Sequence, residues 1–588
     1  MIKLMRFLKK QDMFYIVLCA VLVVTQVWLD LTMPDYTQKL TEAISSGQKD
    51  MSIVTSNGLR MLGCALGSMA ASILCGVLAS VVAANFARTL RQKLYGRISE
   101  FSEKELGYFS TPSLITRTTN DVVQQQTLIA MGMQMMFKAP ITAVWAIAKI
   151  SSTNVNWTYA VLTTVALMIT VVIILLSVAF PRFKRIQKLT DSLNNVTREN
   201  VTGVRVIRAF NAEEHQEKRF AKVNRAITKN QLFTSRTMGM MMPVMTVCMS
   251  GLSLAIYWIG AYLVNRTQTD MRAVLIGNMT AFTQYALQVV GAFIMLVVIF
   301  IILPRTMVSA KRINEVLDTE PSIIFSRRRF SSEIKGKIEF RDVSFSYTGT
   351  GEPCLKNISF SVEPGETFAI IGATGTGKST LINLIPRIYD VTSGSLLIDG
   401  LDVREYSESQ LAEMVSIAPQ KAILFSGNIR SNISYGSEPD DERLRRAIEL
   451  SHSDFVDDLD DGLDAPVAQG GTNFSGGQKQ RLSIARAVYR NSEIVIFDDT
   501  FSALDYKTDM LVRRALREQL SDTTVIIVAQ RIGTIRNADK ILVLNDGEIA
   551  GLGTHKELLE GCPIYREIAL SQLSEAELSE ELGGKGAV

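Results

Sequence analysis

The chain has 588 residues, a formal net charge of +4, 20% charged residues and a mean hydropathy of +0.17. That length exceeds what one hydrophobic core organises, and that hydropathy suits neither a wholly soluble enzyme nor a wholly membrane-buried protein, so a chain half in the membrane and half out is expected. Six cysteines without a C-x-x-C pair exclude a zinc site and point away from a disulfide framework, and the small net charge gives no reason to expect a nucleic-acid partner.

From the N-terminus, Met1–Met13 carries Lys3, Arg6, Lys9 and Lys10, and Phe14–Leu31 is predominantly apolar. A cleaved signal peptide competes with a membrane helix here. The length of the run, its end at Met33-Pro34 and the lack of a small-x-small site favour a first membrane helix with its N-terminus in the cytoplasm. Five more apolar spans follow near Met61–Ala84, Ala139–Ile150, Trp157–Phe180, Met238–Val264 and Ala281–Leu303. Six spans return the chain to the side on which it began.

Charge agrees with that topology. Asn85–Ile129 carries Arg88, Arg91, Lys93 and Arg97, and Pro181–Thr237 carries Arg182, Lys184, Arg185 and Lys188, while the opposite connections are short or mixed in sign. Basic segments on the cytoplasmic side are the positive-inside pattern. These long segments contain few helix breakers, so the membrane helices are expected to run well beyond the bilayer. They turn at Ser110-Thr111-Pro112-Ser113-Leu114 and at Glu199-Asn200-Val201-Thr202-Gly203. Lys138 and Lys149, near the ends of the third span, read as side chains that snorkel to the two interfaces, with a functional intramembrane charge as the competing reading. Met238, Met240, Met241, Met242, Met245 and Met249 crowd the fifth span; an adaptable apolar cavity and ordinary helix packing both fit them.

Residues 1–308 are therefore expected to form the membrane domain, 309–336 a linker, 337–571 a soluble α/β domain and 572–588 an acidic tail. Within the soluble part, Thr367–Ile371 is an apolar strand, followed by Gly372-Ala373-Thr374-Gly375-Thr376-Gly377-Lys378-Ser379-Thr380 and then a helical run. This G-x-x-x-x-G-K-S pattern between strand and helix is a phosphate-binding loop. Its glycines let successive N–H groups curl around a polyphosphate, Lys378 reaches the β/γ-phosphates, and Ser379 suits Mg²⁺. Glu493–Asp499 is a buried strand ending in carboxylates, of which Asp498 is placed to face that Mg²⁺. Between them, Asn473-Phe474-Ser475-Gly476-Gly477-Gln478 opens a helix with an anion-binding N-terminus.

Together these residues and Ser502-Ala503-Leu504-Asp505 resemble the ATP-binding cassette of ABC transporters. On that resemblance Tyr347 is the aromatic that stacks on adenine, and Gln420 is the glutamine that senses Mg²⁺ and meets the membrane domain. Ser475, Gly476, Gly477 and Gln478 are the signature that grips ATP held by another chain, and Asp505 belongs to the D-loop. Six preceding spans, Arg117-Thr118-Thr119-Asn120-Asp121 and Gly203–Phe210 are similar to the exporter-type membrane domain. The implied cofactors are ATP and Mg²⁺, with Ser379, Gln420 and Asp498 at the metal.

Three positions depart from the family pattern. Asp499 stands where a glutamate usually orients the attacking water, Gln530 replaces the switch histidine, and Gln469 replaces an acidic residue before the signature. Asp499 and Gln530 would flank the γ-phosphate, where phosphoryl transfer depends on positioning. The chain is thus most similar to the subunit with the degenerate ATP site in heterodimeric bacterial multidrug exporters. The resemblance implies a cell-membrane protein with both termini cytoplasmic, a second half-exporter as partner, contact with membrane lipid and a small lipophilic substrate. A regulatory or receptor-like ATP-binding subunit, a lipid or peptide exporter, and an importer are the alternatives.

Overall fold

The computed structural model describes residues 2–46, 51–151, 155–330, 335–347 and 351–573. The acidic tail beyond Leu573, with Glu575, Glu577, Glu580 and Glu581, lies outside them, as do residues 331–334 of the expected linker. Two compact units divide the chain, Met1–Ser99 with Pro112–Thr319, and Glu100–Thr111 with Glu320–Val588. The short segment around Glu103–Phe109, expected within the membrane domain, thus groups with the soluble unit.

The first unit is helical. A short α1 (Ile2–Met5) precedes α2 (Lys10–Ser45) and α3 (Met51–Ser99). The segment belonging to the other unit contains α4 (Glu103–Phe109), and the chain returns through α5 (Thr111–Thr118). There follow α6 (Asn120–Ser151), α7 (Val155–Thr202), α8 (Val204–Ala209), α9 (Glu213–Gly239), α10 (Met241–Arg266) and α11 (Thr269–Asp318). Among the described residues, six helical stretches are long and apolar enough to cross a membrane. A helix the length of α3 reaches about 70 Å, more than twice the ~30 Å hydrocarbon core, so the expected extension past the bilayer is present.

The turns fall where the sequence placed them. Ser110 sits at φ 59 between α4 and α5, and α7 ends at Thr202 before Gly203, where a Cβ would stand 2.9 Å from Glu199 O. Proline does not stop the helices. Pro34 and Pro304, expected to end apolar runs, lie inside α2 and α11, as Pro140 and Pro181 do inside α6 and α7. Neighbouring helices supply the packing that a proline in an isolated helix would lack.

The core of this unit joins α2, α3, α6, α10 and α11, with Trp157 of α7 against Phe282 at 5.0 Å between ring centres. Ala71, Cys75, Ala79, Ala83 and Ala87 recur every fourth residue on the buried face of α3, which lets the neighbouring helix approach closely. One consequence corrects the cysteine reading. The α2–α3 hairpin brings Cys19 level with Cys75, and the two form a disulfide. Of the methionine cluster, Met245 is buried while Met240 and Met242 are well exposed, so the group does not share one face.

Lys138 and Lys149 also differ from expectation. Rather than reaching outward, each pairs with an aspartate of α2, Lys138 with Asp30 at 3.1 Å and Lys149 with Asp35 at 2.7 Å. A partner two helices away in sequence is invisible to local pattern. Pairing removes most of the cost of charge among apolar helices, and snorkelling is then unnecessary.

The second unit is α/β. An antiparallel sheet in the order β2-β1-β4-β5 contains β1 (Ile338–Phe345), β2 (Leu355–Val362), β4 (Ser393–Ile398) and β5 (Leu401–Asp402). A six-stranded sheet runs β12-β11-β3-β10-β9-β6, made of β3 (Thr367–Ile371), β6 (Val415–Ala418), β9 (Ile494–Asp498), β10 (Thr524–Val528), β11 (Lys540–Asn545) and β12 (Glu548–Gly553). All its pairings are parallel except β11 with β12. Strands β9 and β10 are buried at every residue, as expected of parallel strands covered on both faces. Phe340, Phe360 and Phe368 stack between the sheets at 4.5 and 5.0 Å. A third, smaller core of Leu424, Ile429, Leu444, Ala447, Leu482 and Tyr489 lies under α14 (Ile429–Ile433), α15 (Asp441–Leu450) and α16 (Gly476–Tyr489).

Candidate functional site

In the six-stranded sheet, β3, β10, β9 and β6 are parallel neighbours, so their carboxyl ends open on one edge. Ligands of open α/β sheets bind at such an edge. The loop Gly372–Thr380 leaves β3, Gln530 follows β10, Asp498 and Asp499 end β9, and Gln420 follows β6. Four segments spread over 160 residues of sequence are thus gathered by strand order alone.

The phosphate loop owes its shape to glycine. Gly375 and Gly377 have φ of +88° and +99°, and a Cβ at Gly377 would stand 2.9 Å from the Leu355 side chain. Lys378 opens helix α12 (Lys378–Leu384) and its Nζ donates to Gly372 O at 2.9 Å and Ala373 O at 2.6 Å, which holds the ammonium inside the curl of the loop. Burial pushes its pKa down, against the pull of Asp499 and Asp498. Thr376 Oγ1 donates to Ala373 O at 2.9 Å and steadies the curl, while Thr374 occupies its tip. Thr380 Oγ1 lies 2.8 Å from the Tyr347 hydroxyl, so the aromatic expected at adenine is tied to the first turn of α12. Tyr347 also meets Phe345 and Tyr389 edge-on, at 4.8 and 5.5 Å.

Ser379 Oγ donates to Asp498 Oδ1 at 3.3 Å. Burial raises the Asp498 pKa, its hydrogen bond from Ser379 opposes that, and the neighbouring Asp499 raises it further. A hydroxyl beside a carboxylate whose charge is uncomfortable is a hard-oxygen set suited to a divalent cation. Among the described residues no group of three His, Cys, Asp or Glu could hold a metal.

Asp499 is the most constrained residue of the edge. It sits at φ 47, in the left-handed region, with its N–H donating to Val528 O at 2.9 Å. Gln530 Nε2 donates to its Oδ2 at 2.9 Å and Gln420 Nε2 donates to the same oxygen at 3.2 Å. Two of the three departures from the family pattern, Asp499 and Gln530, are therefore bonded to each other, and Gln420 joins them. No single stretch of the chain announces this clamp, because its members come from three loops. A cavity of about 290 Å³ beside it is lined by Asp499, Ser502, Gln530, Arg531 and Thr534.

The residues Ser475–Gln478 lie elsewhere, over the third core. Ser475 caps α16 through a capping box, with its hydroxyl accepting from Gln478 N at 3.3 Å and its N–H donating to Gln478 Oε1 at 2.9 Å. Gly476 and Gly477 form the first turn, and a Cβ at Gly477 would touch Ala503 O at 3.4 Å. Asp505 caps α17 (Tyr506–Gln519), and its bond from Thr508 lowers its pKa. Gln469 lies in a short 3₁₀ turn, Gln469–Gly471, just before the signature. Two residues missed in the sequence join the signature helix to the Gln420 segment. Gln480 Nε2 donates to the carbonyls of Pro419 and Gln420, both at 3.3 Å, and Arg486 donates to Ile423 O at 2.9 Å. They stand six residues apart on α16, a spacing that does not mark one helix face, so no local pattern singled them out.

In the helical unit, Arg117 Nη1 donates to Arg312 O at 2.6 Å and pairs with Glu315 at 2.9 Å, while Asp121 accepts from Ser309 at 3.0 Å. The segment Arg117–Asp121 thus fastens the start of α6 to the end of α11.

Residues 355–502 match the profile of the ABC transporter family, and residues 14–316 match that of the ABC transporter transmembrane region. An uncharacterized ABC transporter ATP-binding protein of Mycobacterium tuberculosis is 39% identical over 90% of this chain and 91% of its own length. YfiB of Bacillus subtilis, also an uncharacterized ABC transporter ATP-binding protein, is 35% identical over 94% and 95%. An ATP-dependent lipid A-core flippase of Syntrophus aciditrophicus is 32% identical over 86% and 84%. The solved structure of a bacterial Atm1-family ABC exporter with ATP bound shares the fold, with a TM-score of 0.80, 22% identity and coverage of 97% of this chain and all of that one.

Proposed function

Because this chain belongs to the ABC transporter family, as a membrane protein with six spanning helices and a cytoplasmic ATPase domain, we propose that it is one half of a heterodimeric exporter whose own ATP site is the slow one. The family's domain binds ATP and couples its hydrolysis to transport. What is proposed is the division of labour. Tyr347, Gly372–Thr380, Gln420 and Asp498 hold ATP, with Ser379 and Asp498 at Mg²⁺, whose charge offsets that of the phosphates when it is bound.

The observation that carries the reading is the clamp on Asp499. A carboxylate one methylene shorter than glutamate ends about 1.5 Å back, and here one of its oxygens is already committed to two amides. A misplacement of about 1 Å can cost on the order of 10²-fold in rate. Gln530 donates a hydrogen bond but has no imidazole to present to the γ-phosphate. Meanwhile the capped turn Ser475–Gln478 keeps the geometry needed to grip ATP on another chain. A weak loop side and a sound signature fit a partner with the opposite set. The test is ATPase activity of this chain alone and of the co-purified pair. Turnover is expected only from the pair, and robust turnover from a homodimer of this chain contradicts the reading.

For the cargo, relatives named lipid A-core flippases favour an amphipathic lipid over a small drug. ATP-dependent movement of labelled lipid in vesicles holding the pair tests that choice. Absence of flux with every lipid and drug tried would favour a regulatory subunit.

A further inference from the structure

Past β10 the chain runs through Gln530 and Arg531 into α18 (Ile532–Ile535). A helix start leaves its first N–H groups without an intrahelical acceptor, and the Arg531 side chain at the cap position supplies none. Gln572, more than forty residues later in the sequence, supplies one. Its Oε1 accepts from Ile532 N at 2.8 Å, while its Nε2 donates to Gln530 O at 2.8 Å. One side-chain amide thus meets the loop as a neighbouring strand would, with an acceptor and a donor.

That amide sits on a fixed platform built by α19 (His555–Gly561) and α20 (Pro563–Leu570). Tyr565 and Ala569 of α20 are fully buried, in the same core as Ile532, Ile535 and Phe497. The Tyr565 hydroxyl lies 2.6 Å from His555 Nδ1, and Gln572 N donates to Ala569 O at 3.0 Å. The far end of α18 is held separately, by Arg513 Nη1 of α17 donating to Gly533 O at 2.9 Å and Thr534 O at 3.2 Å. What Gln572 adds is a hold on the backbone of Gln530, one residue beyond the last anchor to β3, the Ala529 N–H donating to Ile370 O at 3.2 Å. From that backbone the Gln530 side chain reaches Asp499 Oδ2 at 2.9 Å. The same amide nitrogen carries a second N–H, beside the cavity lined by Asp499, Ser502, Gln530 and Arg531.

We propose that Gln572 is a positioning residue of the ATP site. It sets the backbone of Gln530 so that this side chain gives one N–H to Asp499 and the other to the γ-phosphate of bound ATP. This role rests on the reading above that Gln530 stands at the γ-phosphate, and is independent of which chain hydrolyses faster.

The experiment measures ATP and ADP affinities by calorimetry, with Mg²⁺, on the full chain in detergent, and reads their ratio. ADP lacks the γ-phosphate, so a variant that merely loosens the fold weakens both nucleotides and leaves the ratio alone. Gln530→Ala is expected to lower the ratio in favour of ATP roughly tenfold, the loss of one hydrogen bond to a charged group. Gln572→Met keeps the length of the side chain and removes both bonds. It should lower the ratio at least about threefold, because ordering one freed residue of backbone on binding costs at least that much. Added to Gln530→Ala it should cost nothing further, since it acts through that residue. Gln572→Glu separates the two bonds: its carboxylate still accepts from Ile532 N but sets an oxygen against Gln530 O. Its melting temperature should match the native chain's while its ratio falls as in Gln572→Met. An unchanged ratio in Gln572→Met or Gln572→Glu, beside a lowered one in Gln530→Ala, overturns the positioning role and leaves Gln530 at the γ-phosphate. An unchanged ratio in Gln530→Ala overturns both.

Discussion

The clamp on Asp499 makes a restoration experiment possible. Consider Asp499→Glu together with Gln530→His, in a pair whose partner has its own catalytic glutamate replaced by glutamine. The added methylene carries the carboxylate about 1.5 Å forward, past the amides that now hold Oδ2 at 2.9 and 3.2 Å. With a 1 Å error worth on the order of 10²-fold, the gain corresponds to about 2.7 kcal/mol of barrier at 1.36 kcal/mol per decade. Steady-state phosphate release from the purified pair is the assay, with the silenced pair as baseline. A rise of at least about tenfold is expected, since the histidine restores only part of its contact with the γ-phosphate. An unchanged rate in a pair that still binds ATP would refute the argument that side-chain reach limits this site.

Lys378→Ala should weaken ATP binding by calorimetry at least about tenfold, because it removes a charge-assisted hydrogen bond to phosphate; unchanged affinity would sink the loop assignment. With the native cysteines replaced, a cysteine at Ser46 should react with an impermeant thiol reagent from outside and one at Ser192 should not, and the reverse pattern would refute the topology. Asp498 has a folded-state pKa raised above its ordinary value by burial, so its contribution to stability is present at low pH and is lost as pH rises through that raised pKa. Between the ordinary carboxyl pKa and that raised value, Asp498→Asn should therefore gain stability relative to the native chain as pH rises in thermal melts without nucleotide, while abolishing Mg²⁺-dependent ATP binding.

Much of this protein was legible in its sequence because its signals are local. A phosphate loop needs glycines and a lysine at fixed offsets between strand and helix, so Gly372–Ser379 announced both its shape and its ligand. Spans announce themselves by length and hydropathy, and turns by Ser110 and Gly203. Contacts between distant segments were not legible. The bonds of Gln420 and Gln530 to Asp499 depend on the order of β6, β9 and β10, which no single stretch encodes. Lys138 and Lys149 looked like interface anchors because Asp30 and Asp35 lie more than a hundred residues earlier. Cys19 and Cys75 carry no spacing signature; the hairpin between α2 and α3 alone makes them neighbours.

The division of labour between the two ATP sites is most directly tested by ATPase measurements on the pair carrying Ser475→Arg or Asp499→Asn in this chain. Ser475 caps the helix that would face the partner's ATP, so Ser475→Arg is expected to abolish turnover. Asp499→Asn acts on the slow site and should leave most of it. If Asp499→Asn proves as damaging as loss of the partner's own glutamate, the asymmetric account is wrong.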